Sequence, residues 1–264
     1  MDLFVRETGP AGAPAIVFLH GGEYTGQSWQ PVVERMQRYR CLVPDLPQHG
    51  KSRGLGPFRI GETAAAVAEL IRARASSGRA HVVGLSLGAQ VGAQLLATEP
   101  ELVDRAVLCG IVINAIPGAR LSAFLLGRVA RVSRFVTIRM KAPRYAKISS
   151  ATIQDRREDR NPMDSAEIAQ IVEESAGFTL PPGLDKSDSP TLFLTGTYEM
   201  PFVRRSAAAL ARRMPNGIDM IATGMLHDWP LRCPDLFSRT VDGWLSGTAL
   251  PPEIESPFAA RDGK

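Results

Sequence analysis

Cysteine is scarce in this 264-residue chain, and its distribution excludes two classes of protein. The three cysteines, Cys41, Cys109 and Cys233, are far apart, and no CxxC pair occurs. An odd number of dispersed cysteines argues against a disulfide framework and favours a reducing compartment. Neither the cysteines nor the four histidines have the spacing of a zinc site, so we expect no metal cofactor.

Long hydrophobic runs are also missing. The most apolar stretch, residues 106–116, is interrupted by Gly110 and Asn114 and is much shorter than the ~20 residues of a transmembrane helix. Asp2 and Arg6 lie where a secretory signal needs an unbroken apolar segment. We therefore expect a cytoplasmic protein.

Basic residues exceed acidic ones only slightly, 31 against 27, but the excess is concentrated in one segment. Residues 120–160 contain eleven basic and three acidic side chains, so the rest of the chain is net acidic. This asymmetry argues against a nucleic-acid binder with a uniformly basic surface. Residues 122–141 have the pattern of an amphipathic basic helix. Its arginines could attract an anionic substrate or a membrane surface. We favour the alternative, in which they remain solvated or pair with acidic residues elsewhere in the chain.

Short, nearly continuous apolar runs recur along the chain and predict buried strands. They occupy residues 15–19, 41–44, 81–85, 105–113, 191–196 and 218–224. Helical patterns lie between them, at residues 30–38, 60–74, 87–97, 203–213 and 236–245. Strands that are apolar on both faces and alternate with helices indicate an α/β fold, with a mostly parallel central sheet flanked by helices.

This alternation stops after Ile113. The following 77 residues are helical in pattern, rich in arginine and poor in strand-forming residues. We interpret residues 115–189 as a helical cap inserted into a core made of residues 1–114 and 190–247. Residues 248–264 are rich in proline and polar side chains, and we expect them to form a frayed C-terminal tail.

The strongest chemical signal is the pentapeptide GLSLG at residues 84–88. It lies between a predicted strand and a predicted helix, which is the setting of a GxSxG nucleophile elbow. Such a strained turn lifts the serine clear of the sheet, and its glycines leave room where chain segments approach closely. The start of the following helix supplies N–H groups and the positive end of a dipole to a developing oxyanion. Ser86 is therefore the candidate nucleophile.

Residues 45–52, DLPQHGKS, end like a phosphate-binding loop. However, Asp45 stands where GxxxxGKS needs its first glycine, so the backbone cannot form the phosphate cradle. No GxGxxG follows the first predicted strand either. We therefore expect neither a nucleotide nor any other cofactor.

Four motifs together resemble the alpha/beta-hydrolase superfamily, in its serine esterase and lipase-like branch. FLHGGEYTGQSW (18–29) is similar to the oxyanion loop, and VPDLPQHGKS (43–52) to the PDLxGHGxS segment, with Gln48 in place of the usual glycine. GLSLG is similar to the nucleophile elbow, and TGMLHDWP (223–230) to the histidine loop. The resemblance covers almost the whole chain outside the predicted cap. It implies the alpha/beta-hydrolase fold, with the cap inserted after the strand that ends near Ile113.

This resemblance implies a catalytic triad in the chain order serine, acid, histidine. His227, on the loop after the last core strand, matches the base, whereas His20 and His49 lie in turns where the superfamily's histidines are structural. The acid is usually an aspartate in a GxxD turn after the cap. This chain has GTYE there, so Glu199 is the candidate acid.

Other assignments of the acid are weaker. Asp228 is too close in sequence to His227 to serve easily, and the position after the strand 105–113 offers Asn114, which is not a carboxylate. The alternative reading of Glu199 is a surface glutamate that opens the following helix, where acidic residues are favoured.

The oxyanion hole implied by the resemblance has two backbone donors, the N–H groups of Gly22 and Leu87. Gly22 follows the HG pair of the first loop, and Leu87 follows the candidate nucleophile. Glu23, the next residue, is either a solvated loop carboxylate or a contact for a polar group of the substrate.

A serine nucleophile, where dehalogenases and epoxide hydrolases of the superfamily have an aspartate, implies acyl chemistry. We expect hydrolysis of small-molecule carboxylic esters with small to medium acyl chains, through an acyl-enzyme and without a cofactor. The alternatives are lactone or thioester hydrolysis, cofactor-free perhydrolysis or lyase chemistry, and a catalytically silent ligand-binding protein. The presence of both a base and an acid argues against the silent protein, which has no chemical need for them.

Overall fold

The computed structural model describes residues 1–113 and 163–257 of the protein. Within these ranges, eight strands form one sheet: β1 (Val5–Thr8), β2 (Ala15–Leu19), β3 (Arg40–Pro44), β4 (Ala80–Leu85), β5 (Val103–Cys109), β6 (Thr191–Gly196), β7 (Gly217–Ala222) and β8 (Ile254–Glu255). Their order in the sheet is β1-β3-β2-β4-β5-β6-β7-β8. The pairs from β3 to β7 are parallel, whereas β1 and β8 pair antiparallel at the two edges.

The same ranges contain seven α-helices: α1 (Gln30–Val33), α2 (Ile60–Arg74), α3 (Leu87–Thr98), α4 (Ser165–Ala176), α5 (Pro201–Arg213), α6 (Trp229–Arg232) and α7 (Pro234–Ser246). Short 3-10 helices span Gly26–Trp29, Gly50–Ser52, Pro100–Leu102 and Leu184–Lys186. No helix in this part of the chain is both long enough and apolar enough to cross a membrane. The predicted α/β architecture, a mostly parallel sheet flanked by helices, is confirmed.

Both faces of the sheet are buried, which explains why its strands are continuous apolar runs. Along β2, Val17 and Leu19 belong to one buried cluster and Ile16 and Phe18 to another. Successive side chains of a strand point to opposite faces, so each strand contributes to both clusters. The first cluster includes the apolar faces of α2 and α3, and the second includes that of α7.

The direction in which strands are added to the sheet reverses beside β2. Strand β3 lies on one side of β2, and the later parallel strands, starting with β4, lie on the other side. In open parallel sheets, ligands bind in the crevice at the carboxyl ends of the strands at such a point. The loop after β2 begins at His20 and the turn after β4 at Ser86, so both motifs lie at this crevice.

Two short edge strands are missing from the sequence prediction. Strand β1 pairs with β3, and β8 places Ile254 and Glu255 opposite Ala222 and Ile221 of β7. The expectation of a frayed tail is wrong for this part of the C-terminus. The unpaired backbone groups along β7 form hydrogen bonds with the tail, and this edge pairing orders it. Residues 258–264 lie outside the described residues.

The structure describes the predicted cap from residue 163 onward. Helix α4 begins with a capping box, in which Asp164 accepts the N–H groups of Ala166 and Glu167 while the Glu167 carboxylate accepts the N–H of Asp164. Beyond α4, Phe178 is buried in the cluster that contains α2 and α3. The basic helix predicted over residues 122–141, with its suggested membrane contact, lies outside the described residues.

Gln48 occupies a backbone position that favours glycine. Its φ of +64° is in the left-handed region, which costs a non-glycine residue roughly 1–2 kcal/mol. Its side chain offsets this cost, because Oε1 accepts the N–H of Phe58 at 2.5 Å. Its own N–H donates to the carbonyl of Leu55 at 2.9 Å. These bonds explain how a glutamine stands where the resemblance leads us to expect glycine.

Candidate active site

Ser86 lies at the turn between β4 and α3 in a backbone conformation that L-residues rarely adopt. Its φ of +54° and ψ of −110° lie outside the helical and strand regions. The N–H of Ser86 donates to the carbonyl of Cys109 at 2.8 Å, and its own carbonyl accepts the N–H groups of Ala89 and Gln90. Strain of this kind persists only where the surroundings hold it in place, and it concentrates at functional sites.

Two glycines allow this turn to form. A Cβ on Gly84 would lie 2.6 Å from the carbonyl oxygen of Gly88, and a Cβ on Gly88 would lie 2.2 Å from the carbonyl oxygen of Leu19. Both distances are too short for any side chain, and the atoms met belong to the backbone. The glycines of GLSLG therefore let the start of α3 pack against the ends of β2 and β4.

A buried carboxylate and a half-exposed imidazole face each other at the ends of two neighbouring strands. Glu199 follows β6 and its side chain is 1% exposed, whereas His227 follows β7 and its side chain is 48% exposed. The His227 Nδ1 atom lies 3.1 Å from Glu199 Oε2, and the N–H of Gly196 donates to Glu199 Oε1 at 3.2 Å. Glu199 is therefore not a surface glutamate. Asp228, the rejected alternative, instead forms an ion pair with Arg232.

This pairing raises the pKa of His227 above its ordinary value of 6.5. Partial burial of the ring acts to lower the pKa, but the hydrogen bond with Glu199 and the charge of that carboxylate outweigh burial. The charges of Asp228 and Glu23 act in the same direction as Glu199. A raised pKa makes the imidazole a stronger base, and Nε2 is the nitrogen left free to accept a proton.

The end of β5 lies between Ser86 and His227. The carbonyl of Cys109 accepts the N–H of Ser86. The next residue, Gly110, has a φ of +65° and packs against the His227 ring. A Cβ on Gly110 would lie 2.6 Å from Cε1 and 2.8 Å from Nδ1 of that ring. The N–H of Gly110 donates to the carbonyl of Leu194 on β6, which fixes its position. The serine and the histidine are therefore brought to the same crevice.

The loop after β2 lies beside the serine. The N–H of Tyr24 donates to the carbonyl of Gly21 at 3.1 Å, which closes a turn. A Cβ on Gly21 would lie 3.6 Å from Ser86 Cβ, and a Cβ on Gly22 would lie 3.5 Å from the Leu87 side chain. The two segments that the resemblance assigns to the oxyanion hole are therefore adjacent in space.

Two buried histidines hold this loop. The N–H of Leu46 donates to His20 Nε2 at 3.0 Å, so His20 Nδ1 carries the proton that is donated to the carbonyl of Gly21 at 2.9 Å. His49 Nε2 lies 3.1 Å from the carbonyl oxygen of Gly22. Burial, assisted by the neighbouring His49, lowers the pKa of His20 to about 3, and burial also lowers the pKa of His49. Both rings are therefore predominantly neutral near pH 7 and are scaffold rather than base.

The contact of His20 with the Gly21 carbonyl orients the first of two candidate backbone donors. In a trans peptide the C=O and the N–H point to opposite sides, so the N–H of Gly22 points away from His20. The N–H of Leu87 belongs to the first residue of α3, where no intrahelical acceptor exists. These N–H groups, with the positive end of the α3 dipole, are the donors that we propose for a negatively charged oxygen.

Two residues near the site are missing from the sequence prediction. Gly110 contacts the His227 ring, and its signal is a glycine directly after the apolar run of β5. Gln90 is 1% exposed on α3, and in the sequence it stands out as the one polar residue among the apolar residues 87–93. Neither signal can be interpreted without knowing which segments pack together.

Other reactive groups do not compete with Ser86. Burial raises the pKa of the Cys41 thiol to about 11 and that of Cys109 well above its usual range, so both thiols are un-ionised near pH 7. Across residues 1–113 and 163–257, no group of three or more histidine, cysteine or carboxylate side chains is placed to hold a metal ion.

Comparison with known proteins finds relatives with the alpha/beta hydrolase fold. A family model of the alpha/beta hydrolase fold matches residues 14–140. An alpha/beta hydrolase superfamily protein of Gibberella zeae is 36% identical over 113 residues, which are 42% of this chain and 40% of that relative. The pimeloyl-[acyl-carrier protein] methyl ester esterase of Pectobacterium atrosepticum is 25% identical over 254 residues, which are 89% of this chain and 95% of that protein.

Solved structures share the fold over nearly the whole chain. The enol-lactonase from Burkholderia xenovorans has a TM-score of 0.74 and 22% identity, covering 92% of this chain and 96% of its own. At this identity the likeness shows the fold alone. The match to the Gibberella zeae relative spans about two fifths of that protein's length. Together with the eight-stranded, mostly parallel sheet, these matches show that the chain has the alpha/beta hydrolase fold.

Proposed function

We propose that this protein hydrolyses carboxylic esters with small to medium acyl chains. The observation that carries the proposal is the strained Ser86 turn at a crevice that also holds the hydrogen-bonded pair of His227 and Glu199. A serine hydroxyl is a weak nucleophile at neutral pH, and a base that is oriented by a third group activates it.

In the first half of the reaction, His227 Nε2 removes the proton of the Ser86 hydroxyl, and the oxygen attacks the ester carbonyl. The carbonyl oxygen becomes an oxyanion, which the N–H groups of Gly22 and Leu87 stabilise. Collapse of this intermediate breaks the bond to the alcohol, and His227 transfers its proton to the leaving oxygen. Glu199 keeps the proton of the ring on Nδ1 and stabilises the imidazolium while it exists.

In the second half, a water molecule takes the place of the alcohol. His227 removes a proton from the water, which attacks the acyl group on Ser86, and the same N–H groups stabilise the second oxyanion. His227 then returns the proton to Ser86, and the carboxylic acid leaves. Each proton that the ring accepts is passed on within the same half-reaction, so no cofactor enters this scheme.

The relatives support acyl chemistry in general terms. The Pectobacterium protein is named a methyl ester esterase, and the Burkholderia structure is that of an enol-lactonase. Lactone and thioester hydrolysis would use the same residues and differ in the leaving group. Analysis of the products of each substrate class separates them from simple ester hydrolysis.

Trapping of the acyl-enzyme tests the proposal directly. The protein is mixed with p-nitrophenyl butyrate, quenched in acid and examined by intact mass and peptide mapping. A butyryl adduct on the peptide that contains Ser86 is expected. No adduct, together with a rate of ester cleavage no faster than in buffer, would contradict ester hydrolysis and favour a ligand-binding protein.

The rate should depend on the protonation of His227. Since the base must be neutral, kcat/KM should rise with pH through an apparent pKa above 6.5. Glu199→Gln should lower the pKa of His227, because the carboxylate stabilises the protonated ring. An NMR titration of the ring in Ser86→Ala, with and without Glu199→Gln, measures this shift. An unchanged or higher pKa in the double variant would contradict the assigned role of Glu199.

Gly110→Ala should impair catalysis without removing a functional group. The added methyl group meets the His227 ring, and a displacement of about 1 Å typically costs on the order of 10²-fold in rate. We expect a decrease of about 10²-fold in kcat/KM on p-nitrophenyl butyrate. Gly54→Ala is the control, since its added carbon meets open space. If folded Gly110→Ala protein keeps the wild-type kcat/KM, the position of His227 is not critical.

A further inference from the structure

Gln90 is a buried polar residue on the nucleophile helix, and all of its amide groups are used. It lies four residues after Ser86, is 1% exposed, and its backbone N–H donates to the Ser86 carbonyl at 3.1 Å. Its Nε2 donates to the carbonyls of Val112 at 2.8 Å and Ser175 at 3.1 Å, while Oε1 accepts the Ser175 hydroxyl at 2.9 Å. A buried amide is favourable only when it is satisfied in this way.

These hydrogen bonds join three separate segments. Val112 lies just after β5, Ser175 lies in the last turn of α4, and Gln90 itself lies in α3. One side chain therefore fixes the C-terminal end of α4 to the helix that begins at the nucleophile. An apolar side chain of the same size would fill the space but would remove the hydrogen bonds that Gln90 makes with the Val112 carbonyl and the Ser175 hydroxyl. The Ser175 carbonyl would still accept the N–H of Phe178.

The middle and the last turn of α4 are also fixed, by polar contacts with the residues before and at the start of α2. Gln170 Nε2 donates to the carbonyl of Phe58 at 2.7 Å, and Glu174 Oε1 accepts the N–H of Ile60 at 2.9 Å. Glu174 thereby satisfies a free N–H at the start of α2, where no side chain of α2 does so. Helix α4 is thus held on both sides, and its orientation over the core is defined.

Held in this way, α4 presents one apolar side chain to the oxyanion loop. Ile171 is 5% exposed and belongs to the same buried cluster as Leu87. Its Cγ2 atom lies 4.0 Å from the position of a Cβ on Gly22. The side chains of Ile171 and Leu87 therefore both lie close to Gly22, one of the two residues that supply the candidate oxyanion donors.

We infer that Gln90 is a positioning residue for substrate selection: it holds α4 so that Ile171 limits the space for the acyl group beside Gly22 and Leu87. The inference rests on the proposed ester hydrolysis and adds a determinant of acyl-chain length to it. Gln90 acts through Ile171 and does not touch the reacting atoms itself.

The test is the acyl-chain profile of single variants, measured as kcat/KM for p-nitrophenyl acetate, butyrate and octanoate. Ile171→Ala should raise the ratio of octanoate to acetate by about tenfold, because a change of one or two methylenes in an apolar pocket alters discrimination by at least that much. Gln90→Leu should shift the ratio in the same direction. Thr98→Val, at the exposed C-terminal end of α3, should leave the ratio unchanged.

A double variant distinguishes positioning from a general loss of structure. If Gln90 acts through Ile171, then Gln90→Leu should produce no further change of the ratio in the Ile171→Ala background. A lower melting temperature with an unchanged ratio in Gln90→Leu would show that the residue is merely structural and would overturn the inference. If the changes of the ratio in the two single variants add up in the double variant, the inference is overturned as well.

Failure of the proposed function gives a different result. Fluorophosphonate labelling of Ser86 reports the activated serine without any acyl chain to select. If the wild-type protein is labelled and hydrolyses the esters, but the variants have the same acyl-chain profile as the wild type, only the role of Gln90 and Ile171 is contradicted. A wild-type protein that is not labelled and hydrolyses none of the three esters contradicts both proposals.

Discussion

Ser86→Ala should abolish covalent labelling by a fluorophosphonate and lower kcat for ester hydrolysis by about 10⁴- to 10⁶-fold. The variant removes the oxygen that forms the acyl-enzyme, while the N–H groups of Gly22 and Leu87 remain. Alanine also fits the strained turn, since Ser86 adopts its φ of +54° through backbone contacts that do not involve the hydroxyl. The measurements are intact mass after labelling and initial rates with p-nitrophenyl butyrate.

A second serine provides the control. Ser77 is exposed in the turn between α2 and β4, and Ser77→Ala should keep both the label and the rate. A label that persists in Ser86→Ala would place the reactive nucleophile elsewhere. A label that is lost while ester hydrolysis continues at the wild-type rate would show that the reaction does not pass through this serine.

Glu199→Gln should lower kcat by about 10⁴-fold, the size of effect that follows when the acid of such a triad is replaced by its amide. The amide nearly preserves the shape of the side chain, and its oxygen can still accept the N–H of Gly196. Its NH₂ group, however, donates to His227 Nδ1, which moves the ring proton to Nε2. The imidazole then has no lone pair toward Ser86 and cannot act as the base.

The comparison for Glu199→Gln is Glu62→Gln, a carboxylate exposed in the first turn of α2. Glu62→Gln should retain wild-type kcat. Thermal unfolding of both variants tests whether a loss of activity follows from unfolding. A folded Glu199→Gln protein with kcat within tenfold of wild type would eliminate Glu199 as the triad acid.

Sequence patterns predicted the helices and strands for which local propensity and tertiary packing favour the same structure. Helix α2 spans Ile60–Arg74 as predicted, and strands β2 and β6 also have the predicted bounds, because their apolar runs are bounded by turn residues or by a change in polarity. The helix predicted over residues 30–38 instead ends at Val33. There the chain turns toward β3. The N–H of Arg35 donates to the carbonyl of Val32, and the N–H of Met36 donates to the carbonyl of Val33.

The candidate site also has parts that local sequence patterns predict and parts that they do not. The GLSLG motif predicts Ser86 because a strand, a turn and a helix are local features, and the chain order of the motifs then suggests His227 and Glu199. Their pairing across two strand ends, and the contact of Gly110 with the His227 ring, involve residues far apart in the chain. Local periodicity carries no information about such contacts.

By itself, the sequence determined the α/β class, the parallel sheet and the candidate nucleophile, because hydrophobic periodicity and turn residues act over a few neighbouring positions. Only the tertiary structure decided that Glu199 is buried against His227, that the tail pairs with β7, and that Gln90 ties α4 to α3. Each of these depends on which distant groups are brought within hydrogen-bonding distance and shielded from water. That outcome is set by the packing of the whole core.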